Sequence, residues 1–270
     1  MIDALIFAAG LGTRLRPVTD SIPKALVEVG GTSVLERAIR RVRELRPGII
    51  VVNAHHHAEL VEAAVDRLNR SFEEEAGRAG VPMWPRIVVS LEVERPLETG
   101  GGLRKAAPLF GPGHSVLLHN ADVVTDLDLL ALVAAHDAGA RDVTSEGVGR
   151  SAPLATLAVQ DRASSRKLLF DPEGLFGRLH VGSGREEVVR PARGPRREWA
   201  FSGVQVVSPE LISCLPDDEV FSITDQYLAL AAAGKRIEAH DIGATAWWDV
   251  GTPERLAAAR RGASVERGAE

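Results

Sequence analysis

Ala8-Ala9-Gly10-Leu11-Gly12-Thr13-Arg14, with Pro17 and Lys24 close behind, combines backbone donors with two kinds of cation. The glycines follow an apolar run at residues 2–9, where a strand would end. Such a loop exposes N–H groups that can cradle phosphate oxygens. Glycine lets a polyphosphate come close where a Cβ would block it. Arg14 adds a forked cation and Lys24 a compact one, so the segment suits a triphosphate.

Two carboxylates invite a metal. Asp122 closes the apolar string Leu117-Leu118-His119-Asn120-Ala121-Asp122, and a carboxylate at a strand end can hold Mg²⁺ against phosphate. A helix N-cap or turn role would also account for it. Asp249 lies in Trp247-Trp248-Asp249-Val250-Gly251-Thr252-Pro253-Glu254. Thr252 fits an N-cap and Pro253 the first helical position, which leaves Asp249 for function.

Other chemistries fit less well. A P-loop needs Lys-Ser/Thr after its last glycine, and Thr13-Arg14 stands there. A dinucleotide fingerprint needs a small third residue, and Leu15 stands there. No Gly-x-Ser-x-Gly elbow offers a hydrolase nucleophile. His55-His56-His57 reads as a polar loop after a strand, because metal sites do not space ligands that way. The run Gly100-Gly101-Gly102 costs conformational entropy, which favours close approach of a ligand over a plain turn. Asn53, after a strand, is a turn residue or a sugar contact, and Glu198 is a solvated strand-start Glu or an acceptor for sugar hydroxyls.

The elements that must position these residues alternate. Residues 4–9, 49–53, 87–92 and 115–119 read as buried strands, and 34–45, 58–68 and 129–138 as helices. Alternation implies βαβ units, a mostly parallel sheet and a ligand cleft at the strands' carboxyl ends. The glycine loop, Asn53, residues 100–102 and Asp122 all follow strand ends. Residues 70–85 read as a surface excursion and 141–152 as a loop. Strands are expected at 156–159, 167–170 and 201–207, a mobile flap at 178–197 and a frayed tail from 260.

The 270 residues can bury a sizeable core, and 45% hydrophobic with 26% charged residues suits a globular chain. The net charge of -5 argues against a nucleic-acid platform but leaves room for a local cationic site. Cys214 is the lone cysteine, which excludes an internal disulfide. Residues 2–9 are too short to span a membrane, so a cytoplasmic location without a membrane partner is expected. Nothing in the sequence specifies an oligomeric state.

The string from Ala9 to Thr19 with Lys24 resembles the signature of the sugar-1-phosphate nucleotidyltransferases. Pro96-Leu97-Glu98-Thr99-Gly100-Gly101-Gly102, Asp122, Phe201-Ser202-Gly203 and Trp247-Trp248-Asp249-Val250-Gly251-Thr252 extend the likeness to about residue 258. Ala121 stands where many relatives carry Gly. The resemblance implies an α/β fold: a mixed, mostly parallel Rossmann-like sheet flanked by helices. It implies one domain over 1–258, with a nucleotide-binding part (1–150), a sugar- and metal-binding part (151–258) and a flexible tail (259–270). Arg14, Lys24, Asp122 and Asp249 would be catalytic, with Mg²⁺ on the two aspartates. Ala8, Ala9, Gly10, Leu11, Gly12, Thr13, Gly101, Gly102 and Asn120 would join Arg14 and Lys24 around the nucleotide. Asn53, Glu198, Ser202 and Gly203 would face the sugar. The substrates implied are a nucleoside triphosphate and a sugar 1-phosphate. Within the family the motifs look most like the N-acetylmuramate 1-phosphate uridylyltransferases, which use UTP. Guanylyl transfer to mannose 1-phosphate, thymidylyl transfer to glucose 1-phosphate and a non-catalytic sugar-nucleotide sensor are the alternatives. The Glu-Lys-Pro string that many members carry is missing; Arg190-Pro191 or Lys167 would stand in for its sugar-phosphate lysine, or the 178–197 flap would reshape the site.

Overall fold

The computed structural model describes residues 1–81, 85–141 and 151–266. Ile2–Phe7 (β1) leads through the glycine loop to a short ribbon, Glu28–Val29 (β2) with Thr32–Ser33 (β3). Val34–Arg43 (α1), Ile49–Ala54 (β4), Ala58–Ala79 (α2), Arg86–Leu91 (β5), Glu98–Ala106 (α3) and Ser115–Asn120 (β6) complete the βαβ portion. Val123–Thr125 (β7), Leu129–Arg141 (α4), Ala155–Gln160 (β8), Arg166–Asp171 (β9), Gly174–His180 (β10), Arg185–Val188 (β11) and Arg197–Val207 (β12) follow. Pro209–Ser213 (α5), Ile223–Ala232 (α6), Ile237–Asp241 (β13), Trp247–Asp249 (β14) and Pro253–Glu266 (α7) end the chain.

The expected α/β fold is present. β5, β4, β1 and β6 run parallel, side by side. β12 then joins β6 antiparallel and pairs with β8 and β9, making a mixed ten-stranded sheet. The parallel strands are apolar on both faces, as a sheet covered on both sides requires. Ala4, Ile6, Ile50, Val52 and Leu117 pack with Leu35, Ile39, Val65 and Leu132 from α1, α2 and α4. Leu5, Val51, Val116 and Leu118, the alternate positions, pack with Leu103, Tyr227 and Leu228 from α3 and α6. Residues of opposite parity thus face opposite helix layers, and every parallel strand ends on the same rim.

Three expectations give way. Residues 70–79 are not a surface excursion but the second half of α2, because Phe72 and Ala76 continue its buried stripe. The Arg43 guanidinium lies 3.5 Å from the Phe72 ring centroid, and Glu75 pairs with Arg40 and Arg43, so the acidic run is the helix's wet face. The flap expected at 178–197 is largely a hairpin: β10 and β11 pair around Gly182-Ser183-Gly184, with Arg178 opposite Glu187 and bonded to it at 2.7 Å. The frayed tail from 260 is instead helical through Glu266. Leu256 and Ala259 of α7 are buried against Leu15, Val27, Val29, Val34 and Val250. Most of the loop expected at 141–152 lies outside the described residues. Among the described residues, no helix is long and apolar enough to cross a membrane.

Candidate active site

The glycine loop is held before any ligand arrives. Gly12 adopts the left-handed conformation (φ 63°), and a Cβ there would stand 2.8 Å from Thr19 Cγ2. The Thr19 hydroxyl donates to the Gly12 carbonyl at 2.8 Å. The N–H groups of Ala8 and Ala9 both donate to Asn53 Oδ1, at 2.7 and 3.3 Å. Asn53 Nδ2 donates to Glu92 Oε1 at 2.7 Å, and Glu92 Oε2 accepts from the Leu97 N–H at 2.7 Å. A buried polar chain therefore ties the ends of β1, β4 and β5 to the approach of α3. Once desolvated, such a fully bonded chain fixes geometry.

The charged groups converge through a small ribbon. β14 pairs antiparallel with β7, setting Asp249 opposite Val123, and the Val250 N–H donates to the Asp122 carbonyl at 3.0 Å. This register brings together two aspartates far apart in sequence. Lys24 Nζ bonds Asp122 Oδ2 and lies 3.9 Å from Asp249 Oδ1. The Gly251 N–H donates to Asp249 Oδ1 at 2.6 Å, and Arg255 Nη1 donates to Asp249 Oδ2 at 2.5 Å. A Cβ at Gly251 would be 2.6 Å from Asp249 Oδ1, 3.2 Å from Lys24 Nζ and 3.3 Å from Arg14 Nη2, so all three charged groups surround one small residue.

Two cavities meet there. The first, about 450 Å³, is lined by Ala8, Ala9, Gly10, Leu11, Gly12 and Thr13, and also by Asn53, Glu92 and Lys24. The second, about 460 Å³, is lined by Arg162, Ser202, Gly203, Gln205, Trp247 and Asp249, among others. Arg14, Thr99, Asn120 and Asp122 line both, so a cation and a carboxylate stand at the junction. A nucleotide in one cavity and a small polar ligand in the other would bring their phosphates together at these residues.

Several sequence-predicted positions land elsewhere. Asn53 is in the first cavity, apart from Ser202 and Gly203, and its side chain braces the loop. Glu198 lines neither cavity. It bonds Arg196 at 2.8 Å in a separate hollow beside Lys167 and Trp199, because the start of β12 turns to pair with β9. Gly101 and Gly102 are buried inside α3 and line neither cavity. A Cβ on Gly101 would sit 2.1 Å from the Glu219 carbonyl oxygen, and one on Gly102 2.7 Å from Asn53 Nδ2. The glycine run thus lets α3 approach its own chain rather than a ligand. Arg190 is also spent: it holds both oxygens of buried Asp171 at 2.8 Å. Burial pushes the Asp171 carboxyl up, but Arg190 and two backbone N–H donors outweigh it and hold it at about 2. Lys167 reaches the second cavity while paired with Asp161 at 3.3 Å. Among the described residues, no three His, Cys, Asp or Glu side chains cluster as metal ligands.

Sequence reasoning missed Glu92, Arg162, Gln205 and Arg255. Glu92 and Gln205 carried a signal, since each interrupts or closes an apolar run where a buried polar group needs a reason. Ser202 Oγ and Gln205 Oε1 are buried without a partner beside the second cavity. The β12 register against β8 shifts between Phe201 and Gln205, and Gly203 sits there at φ 76°. That bulge re-aims both side chains toward the cavity.

The comparisons agree with this geometry. Residues 3–154 match the family model described as nucleotidyl transferase. The chain is 31% identical to the N-acetylmuramate alpha-1-phosphate uridylyltransferase of Caulobacter vibrioides, with 96% of each covered. It is 30% identical to the enzyme of the same name from Neisseria meningitidis, over 94% of this chain and 95% of that one. Its fold matches a UTP-bound UGPase from Acinetobacter baumannii with a TM-score of 0.74 at 17% identity, covering 98% of this chain and 94% of that one. The loop, the paired aspartates and these likenesses agree: the chain belongs to the nucleotidyl transferase family, as a sugar-1-phosphate nucleotidyltransferase.

Proposed function

We propose that this protein transfers the uridylyl group of UTP to N-acetylmuramate 1-phosphate and releases pyrophosphate. The observation that carries the reading is the shared wall of the two cavities, where Arg14, Asn120 and Asp122 face both. Two relatives at 31% and 30% identity across nearly the whole chain bear that activity in their names, which supports this base and sugar. The second cavity is rich in cations, which suits a sugar carrying a carboxylate besides its phosphate.

Asp122 and Asp249 converge on one cationic point, now the Lys24 ammonium, and so few carboxylates with room for phosphate and water suit Mg²⁺. Bound there, the ion would offset charge on the nucleophile and the leaving group. The glycine loop N–H groups cradle the triphosphate, and Arg14 holds its outer phosphates. Lys24 turns from Asp122 to bridge the α-phosphate and the incoming sugar phosphate. A sugar-phosphate oxygen attacks the α-phosphorus in line and pyrophosphate departs, with no covalent enzyme intermediate. Orientation and charge stabilisation supply the rate. Ser202 and Gly203 border the sugar. One domain spans residues 1–258, its nucleotide part in 1–150 and its sugar and metal parts in 151–258. Mass spectrometry of a reaction with UTP, N-acetylmuramate 1-phosphate and Mg²⁺ tests this. The reading expects UDP-N-acetylmuramate, lost on chelation. No such product from this pair, with a nucleotide sugar formed from another, would overturn it.

A further inference from the structure

Six cations line the second cavity, and three of them are already spoken for. Arg255 is bound to Asp249, Arg178 to Glu187 and Asp225, and Lys167 to Asp161. Among the described residues Arg14, Arg166 and Arg162 form no ion pair, but Arg14 and Arg166 are exposed whereas the Arg162 guanidinium is half-buried. Nη2 donates to the Phe201 carbonyl at 2.8 Å, Nη1 lies 3.4 Å from the Ala163 carbonyl, and Nε is buried with no partner. It stacks on Trp247 at 3.6 Å from the ring centroid. That platform is itself fixed, because Trp247 Nε1 donates to the Ser202 carbonyl at 2.9 Å.

A half-buried guanidinium with no carboxylate bonded to it carries a desolvation cost that is only partly offset. Burial lowers the Arg162 pKa; the nearby Asp249 raises it and Arg255 lowers it again. A ligand anion would complete the pairing, and a planar guanidinium matches a carboxylate with two parallel bonds. Arg162 lines the second cavity only, so it stands off from the junction where the phosphates meet. Unpartnered Ser202 Oγ and Gln205 Oε1 share that cavity and can bond hydroxyl or amide groups of the same ligand. Resting on the sugar 1-phosphate reading above, we propose that Arg162, held on Trp247, binds a carboxylate borne by the acceptor sugar and so selects acidic sugar 1-phosphates.

Steady-state kinetics with UTP test this on wild type, Arg162→Gln and Arg162→Lys, each checked for folding by thermal melting. The acceptors are N-acetylmuramate 1-phosphate and N-acetylglucosamine 1-phosphate, which lacks the carboxylate. Arg162→Gln should lower kcat/KM for the acidic sugar by about 10- to 100-fold, mostly through KM, as expected for losing a bond to a charged group. The neutral sugar should be little affected, and Arg162→Lys should restore part of the preference. Equal losses on both sugars would overturn the proposal, assigning Arg162 to the phosphate or to the fold, while leaving the reaction standing. A wild type that uses the neutral sugar and not the acidic one would overturn both the pairing and the substrate. If wild type uses neither, the function reading fails and the pairing with it.

Discussion

Lys24 is the residue on which the chemistry turns, because it bonds one aspartate and reaches toward the other with a single ammonium. Replacing it with Ala removes the cation that would bridge two phosphates in the transition state. Lys24→Ala and Asp249→Ala should each lower turnover by about 100-fold or more, the scale of losing a preorganised electrostatic group. Pyrophosphate-release kinetics read this directly, and near wild-type turnover would remove the role assigned. Beside the site, His119 is buried, its ring Nδ1 2.9 Å from the Asn120 carbonyl. Burial pushes its pKa down to about 4, against pulls upward from Asn120 and Asp122. The sign follows: between about pH 6.5 and 4 the unfolded chain takes up a proton that the native state refuses, so stability falls as pH falls. Buried His136, also shifted down, adds in the same direction. Urea unfolding at pH 7 and pH 5 should show that loss, and His119→Gln should make it smaller. An unchanged difference in the variant would assign the loss to other groups. At this scale the sequence was most legible where residue type is rare and chemically committed. Arg14, Lys24 and Asp249 stand around Gly251, with Asp122 bonded to Lys24; their types marked them singly, and the family likeness implied their convergence. Arg162 was invisible, because a turn arginine looks like any solvated surface charge until Trp247 is seen beneath it.

The elements explain which motif glycines border a cavity and which are packed within the fold. Gly10 and Gly12 lie on the first cavity, whereas Gly101 sits within α3 against the Glu219 carbonyl. Gly101→Ala forces a Cβ into backbone that cannot swing aside, an overpacking cost of about 1–3 kcal/mol or more. Thermal or urea unfolding should show that loss while KM for UTP stays near wild type. A stable variant with a raised KM would return Gly101 to the nucleotide. Strand and helix existence was readable from apolar periodicity over most of the parallel half, but not at α3, whose glycine run hides its helical pattern. The rest depended on long-range partners. Residues 70–79 look polar in isolation, yet Phe72 and Ala76 find a core to join. The 178–197 segment looked mobile for its Gly, Pro and Arg, but cross-strand ion pairs such as Arg178–Glu187 are set by register, which single positions do not reveal. Likewise α7 is polar over much of its length, and among its described side chains Leu256 and Ala259 dock it on Leu15 behind the glycine loop.

Taken whole, the molecule sets two cavities of similar volume along one rim of a mixed sheet and gives them a common charged wall. The parallel strands end at the first cavity, and the bulged β12 with the β7–β14 ribbon builds the second. Their meeting could not be read from spacing, since it depends on Asp249 pairing across the ribbon to Val123. The family likeness supplied that convergence in advance, and the register now gives it a cause. The central claim is that one rim joins UTP to an acidic sugar 1-phosphate. Pyrophosphate release across a matrix of nucleoside triphosphates and sugar 1-phosphates, with Mg²⁺ present or chelated, tests it most directly. The account predicts release that needs Mg²⁺ and is strongest for UTP with N-acetylmuramate 1-phosphate. Strongest release from a different pair, or release that survives chelation, would contradict it.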